Sequence, residues 1–122
     1  LNRIEPPARS AEHHLPLSPP VYYVLLALGS DTLHGYAIMR AFDSLTGGGE
    51  RLLPGTLYAT LARMVETGLI EESAPPEPAG DARRRHYRVT PFGKTVAAAE
   101  SERLRRLLEV AAAQRIVSGR AG

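Results

Sequence analysis

P-G-T-L-Y-A-T-L-A-R-M-V-E-T-G, residues 54–68, decides how the rest of the chain is read. Leu57, Leu61, Met64 and Val65 fall at i, i+4, i+7 and i+8, the spacing of one buried stripe on an amphipathic helix. Pro54 and Gly55 stand at its start, where a first helical turn needs no backbone N–H donors, and Gly68 stands just past its end. The other face carries Thr56, Ala59, Thr60 and Arg63, small or polar, with one cation and no carboxylate. Such a face can lie flat in a DNA groove. Gly55 and Thr56 sit where backbone N–H groups favour a phosphate. The threonines can bond bases or phosphates, Ala59 can touch a thymine methyl, and Arg63 can serve a guanine or the backbone. With one Arg and no Asn or Gln, the face makes few bidentate base contacts, so specificity leans on DNA shape and on the spacing of two readers. Tyr58 lies at the edge of the stripe, either a half-buried packing ring or a phosphate contact.

Upstream, V-Y-Y-V-L-L-A-L at 21–28 is apolar nearly all round and reads as a helix led by Pro19 and Pro20 and ended by Gly29. Ser30, Asp31 and Thr32 are cap-type residues for a second helix, expected from Leu33 or His34 to Leu45. Thr46-Gly47-Gly48-Gly49 stops that helix. Residues 1–19, rich in proline with scattered charges, read as a flexible arm, mobile or loosely docked, or as a solvated tail.

Downstream, Leu69 to Ser73 reads as a short strand, Ala74 to Gly80 as a proline-bearing loop, and Arg84 to Thr90 as a second strand. Its period of two sets Arg85, Tyr87 and Val89 on one side and His86 and Arg88 on the other. Three helices followed by such a hairpin is the winged helix-turn-helix order. The expected fold class is therefore mainly α with a small β-hairpin, a winged helix-turn-helix over residues 20–90.

Thr90-Pro91 then opens a long helix, expected to run to about Val117 with a short tail at 118–122. Ala97, Ser101, Leu104, Leu108, Ala111 and Ile116 mark an apolar seam, broadened by Leu107 and Val110, with Glu102, Arg103, Arg105, Arg106 and Glu109 opposite. At about 25 residues this helix would reach roughly 38 Å, longer than so small a domain can cover. An uncovered seam of that length predicts pairing with a second copy.

Composition bounds the function classes. The chain has 122 residues, 43% of them hydrophobic, which suits one folded domain. No apolar run approaches the ~18 residues of a membrane span, and no leader pattern opens the sequence, so a cytoplasmic location is expected. The absence of cysteine removes disulfides, thiolate metal sites and cysteine nucleophiles. Net charge is only +2, yet all but Lys94 of the fifteen basic residues are arginine, the residue suited to phosphates and guanine edges. Arg83, Arg84, Arg85 and Arg88 crowd the base of the wing beside the reading helix, where they can neutralise phosphates. His34 and Tyr36 are expected to pack at a helix start with a phosphate within reach. His13, His14, His34 and His86 show no ligand spacing, so no metal, cofactor or catalytic residue is expected.

The order and the residues together resemble the PadR family of bacterial transcriptional regulators. The matching stretches are L-L-A-L-G at 25–29, H-G-Y-A-I at 34–38, residues 54–70, and R-R-H-Y-R-V-T-P-F-G-K at 84–94, within a likeness covering about residues 20–117. The resemblance implies a homodimeric repressor of the shorter kind, with one C-terminal dimerisation helix over 91–117. It implies a G-T-L-Y helix in the major groove of double-stranded DNA and a wing near the adjacent minor groove. It also implies release by a small hydrophobic or aromatic effector. This chain has no Trp, which argues against a ligand sandwiched between paired tryptophans, and its wing tip carries Glu77 and Asp81 among prolines. Two other classes remain open on the residues alone: a winged-helix protein-interaction module, and a small-molecule-binding protein without operator specificity.

Overall fold

The computed structural model describes residues 11–74 and 84–118. Helix α1, Pro19–Leu28, begins on two prolines and ends at Gly29, whose φ of 53° lets the chain turn where a Cβ would be strained. It is the hub of the core: Val24, Leu25, Ala27 and Leu28 are all buried. Helix α2, Gly35–Thr46, lays Ile38 and Phe42 against it, and the Phe42 ring stacks on Tyr23 with centroids 4.4 Å apart. Helix α3, Pro54–Glu66, contributes Leu57, Leu61 and Met64. Val65, expected in that stripe, is 36% exposed; it flanks the open cleft between α3 and the sheet described below.

The sheet contains the expected hairpin and extends it by one strand. Strands β2 (Ile70–Ser73) and β3 (His86–Val89) pair antiparallel, with Ile70 opposite Val89 and Glu71 opposite Arg88. A third strand, β1 (Leu33–His34), joins the far side of β3, giving the order β1-β3-β2. Leu33 and His34 had the look of a helix start, but pairing with Tyr87 and His86 holds them extended. The expected caps at 30–32 are therefore one strand too early. His34 is the N-cap of α2, its Nδ1 accepting from the Ala37 N–H at 3.2 Å. His86, set on the opposite side of its strand from Tyr87 and Val89, is buried as they are, and the His34 ring meets it edge-on at 5.4 Å.

Helix α4, Pro91–Ala113, starts as the sequence indicates, with Thr90 Oγ1 accepting from the Gly93 N–H at 2.9 Å. The same hydroxyl donates to the Gly68 carbonyl at 2.6 Å. A Cβ built on Gly93 would stand 2.0 Å from the Leu69 carbonyl oxygen, so only glycine lets α4 pass this close to the turn that ends α3. The helix stops before the expected Val117. Arg115 adopts a φ of 64°, and the amides of Ile116 and Arg115 bond back to the carbonyls of Ala111 and Ala112, closing a Schellman motif.

The faces of α4 divide along its length. Gly93, Val96 and Glu100 are buried and Ala97 packs on the core. Continuing the same stripe, Leu104, Leu107 and Leu108 are 39%, 52% and 55% exposed. At the division Glu100 is 2% exposed and bound by Arg103, Nε to Oε1 at 2.7 Å and Nη2 to Oε2 at 3.0 Å, while the Leu17 N–H also donates to it at 3.2 Å. Residues 11–18, within the stretch read as a flexible arm, are thus docked. Ala11 is buried, Leu15 and Leu17 pack on the core, and the His14 ring meets Phe92 edge-on.

Candidate nucleic-acid interface

Helix α3 turns Gly55, Thr56, Tyr58, Ala59 and Arg63 outward, with Thr60 half-buried at the margin. No side chain caps its N-terminus and no acid lies in its first turn, so its leading amides face outward without an internal anion. A Cβ on Gly55 would meet nothing within 4 Å, so no packing inside this chain demands glycine there. Arg63 has no ion pair among the described residues.

Beside α3 opens a cleft of about 790 Å³, lined by the start of α2, one edge of α3 and the near face of the sheet. His34, Tyr36, Tyr58, Arg84 and Arg85 all line it, so residues from three distant stretches of sequence meet here. Tyr58 is 53% exposed rather than packed into the core, and its ring lies against the backbone of Gly35. Arg84 reaches His34 Nε2 at 2.9 Å. Arg85 is held by Glu72 at 3.3 Å. Burial, and the Glu72 carboxylate next, push the Tyr87 phenol above its ordinary range.

Arg88 is not brought into this group. It lies on the other face of the sheet, its Nε 2.6 Å from Glu71 Oε2, in a separate cleft with Asp31 and Lys94. Arg83 lies outside the described residues. Of the seam residues, Ala97 packs on its own domain and Leu104, Leu107 and Leu108 are exposed. Ala111 is half-buried, and Ile116 is exposed beyond the helix end. Among the described residues no group of three or more His, Cys, Asp or Glu stands as a metal cage, and no helix is long and apolar enough to cross a membrane.

One residue that the sequence reading missed lines a second cleft, which shares His34, Tyr36 and Arg84 with this one. Arg40 sits one turn beyond Tyr36, its guanidinium carbon 5.8 Å from that ring's centroid. The i, i+4 spacing of an aromatic and a cation was the available signal.

Three helices, a short three-stranded sheet and a trailing helix define a winged helix-turn-helix protein. The chain belongs to the PadR-like family of transcriptional regulators: the sequence model described as "Transcriptional regulator PadR-like family" matches residues 24–99. A PadR family transcription regulator from hypervirulent Clostridium difficile R20291 superposes with a TM-score of 0.67 at 24% identity, over 82% of this chain and all of that one. Bacillus subtilis PadR, solved in complex with operator DNA, superposes with a TM-score of 0.58 at 21% identity, over 69% of this chain and 47% of that one. Both likenesses concern the fold. A curated relative, an uncharacterized 37.1 kDa protein in transposon TN4556 of Streptomyces fradiae, is 39% identical over 84 residues, 69% of this chain. The match spans 22% of that relative's length.

Proposed function

We propose that this chain acts as a homodimeric repressor, binding a pseudo-palindromic operator in cytoplasmic DNA, and that it is not an enzyme. The observation that carries the reading is the outward face of α3, Thr56, Ala59 and Arg63 with an uncapped N-terminus, beside a cleft edged by Arg84 and Arg85. Gly55 supports it. Glycine costs a helix about 1 kcal/mol relative to alanine, and here neither neighbouring atoms nor φ require it. An approaching phosphate or groove wall would. The fold likeness to a PadR solved with operator DNA supports the same reading.

In this reading Thr56, Ala59, Thr60 and Arg63 meet the major groove, the amides of Gly55 and Thr56 take a phosphate, and Tyr58 reaches the backbone. Arg84 and Arg85, with Arg83, supply much of the affinity. Arg88 contributes less, because it sits across the sheet from the cleft beside α3. The uncovered leucines of α4 bury themselves against a second copy, which sets two readers about one DNA turn, ~34 Å, or a multiple apart. A small hydrophobic effector would release the operator only by binding one spacing of the heads more tightly than the other.

Selection of bound duplexes from a random pool tests this directly. Recovery of an inverted repeat is expected. No enrichment even at low salt would reject the proposal in favour of a protein-interaction or small-molecule-binding role.

A further inference from the structure

We propose that Tyr23 and Glu50 are positioning residues for the reading helix: their hydrogen bond fixes the glycine-rich loop that leads into α3, and operator specificity depends on it. The inference rests on the function proposed above. The loop, residues 47–53, begins with Gly47, Gly48 and Gly49, the first two at φ of 61° and 82°. No backbone is more permissive than such a run. At the far end α3 starts without a side-chain cap, and its buried stripe begins only at Leu57. The exposed leading turn, which carries Gly55 and Thr56, is therefore placed by the loop before it.

Two ties hold that loop. Leu52 is buried in the core. Glu50 Oε1 accepts from the Tyr23 hydroxyl at 2.9 Å, and the Glu50 N–H reaches Thr46 Oγ1 at 3.4 Å. The Tyr23 end is rigid, because its ring stacks on the buried Phe42 at an interplanar angle of 21°. The neighbouring Tyr22 hydroxyl shares a hydrogen bond with Ser101 Oγ of α4 at 2.7 Å. Adjacent residues of α1 thus hold the base of the arm and the lead-in to the reader. The charge of Glu50 is a further argument. It is the one carboxylate between Asp43 and Glu66, just ahead of the helix that faces DNA, where an acid repels phosphates. An ionised acceptor makes the stronger hydrogen bond, and this one draws the carboxylate towards α1. Non-specific binding is carried by charge and tolerates small misplacements, whereas contacts to base edges do not. Loss of the tie should therefore cost operator binding more than binding to an arbitrary duplex.

Tyr23→Phe removes the hydroxyl and keeps the ring and every charge. Glu50→Ala removes the acceptor, and the double variant closes a cycle. Each is titrated against the selected operator and an unrelated duplex across a salt series, with melting temperatures alongside. For Y23F the expected result is operator affinity lower by about 3–10-fold, a much smaller loss on the unrelated duplex, and an unchanged slope of log affinity against log salt. The ratio of the two affinities cancels the charge lost in E50A. That ratio should fall no further in the double variant than in Y23F alone, and Glu50→Gln, which keeps an acceptor, should hold it closer to wild type than E50A does. A wild-type ratio in Y23F overturns the positioning role. Equal weakening on both duplexes with a lowered melting temperature also overturns it, by reducing the bond to a purely structural one. Losses that multiply in the double variant overturn the shared bond. If the wild type binds no duplex at low salt, the proposed function falls and the positioning role with it.

Discussion

The Tyr58 ring of α3 rests against Gly35 at the start of α2 so closely that a Cβ on Gly35 would lie 2.7 Å from Cε1 and 2.9 Å from the hydroxyl oxygen. This contact sets where the tyrosine points. The obstructing atoms are the far end of a rotatable side chain, so the ring can swing aside at small cost to the fold.

Gly35→Ala is accordingly expected to leave stability within about 1 kcal/mol of wild type, since alanine favours a helix over glycine. DNA affinity should fall, because Tyr58 is pushed from its place. Denaturant melts and binding titrations on one preparation separate the two effects, and wild-type affinity would show that the ring's position is immaterial.

Gly93→Ala should behave in the opposite way. Its obstruction is the Leu69 carbonyl, backbone that cannot rotate away, with Val89 Cγ1 also at 2.8 Å. A loss of at least ~2–3 kcal/mol is expected from overpacking of this joint, read as a lower urea midpoint. A midpoint matching wild type would mean that α4 shifts freely.

Glu100 predicts an acid-sensitive step. Hydrogen bonding from Arg103 holds its carboxyl below the ordinary range, against an opposing push from burial, with the Arg103 charge and the Leu17 amide aiding. A carboxylate whose folded pKa is depressed stabilises fully above its unfolded pKa, and that contribution is lost as pH falls through the folded value. Glu100→Gln should cost about 1–3 kcal/mol at pH 7 and converge on wild type well below pH 4. A constant gap between the two from pH 7 to pH 3, in urea midpoints, would remove the ion pair as the cause.

For the seam, Leu104→Glu combined with Leu108→Glu should convert the proposed dimer to monomer at micromolar concentration without unfolding it. Both side chains are already largely exposed within one chain. Sedimentation gives the mass, and circular dichroism confirms the helices. The monomer should retain weak half-site binding and lose its preference for the inverted repeat. Wild-type sedimentation as a monomer would defeat the prediction at the outset.

What could be read from sequence follows from how local each signal is. The α3 stripe and its Pro–Gly boundaries are written within one segment, and so is the Thr90–Pro91 start of α4. Strand β1 is two residues long and extended only because β3 pairs with it, so nothing near Leu33 announces it. The cap-type residues 30–32 gave a local signal that this distant pairing overrode. Alternation along 84–90 did separate Arg85 from Arg88, but only the register of β2 against β3 reveals that Glu72 and Glu71 hold them. The docking of residues 11–18 includes a hydrogen bond to the buried carboxylate of Glu100, which in a run of Glu and Arg looks like any solvated charge.

The joint made by Thr90, Gly93 and the turn at Gly68–Leu69 turns α4 into a lever whose fulcrum touches the end of the reading helix. Its arm of 23 residues is ~34 Å long. In the proposed dimer, a change of ~5° in how two such arms cross would carry one head by ~3 Å relative to the other, close to the ~3.4 Å rise of one base pair. Substitutions on the far half of α4, remote from any nucleotide, could therefore retune which half-site spacing the pair accepts.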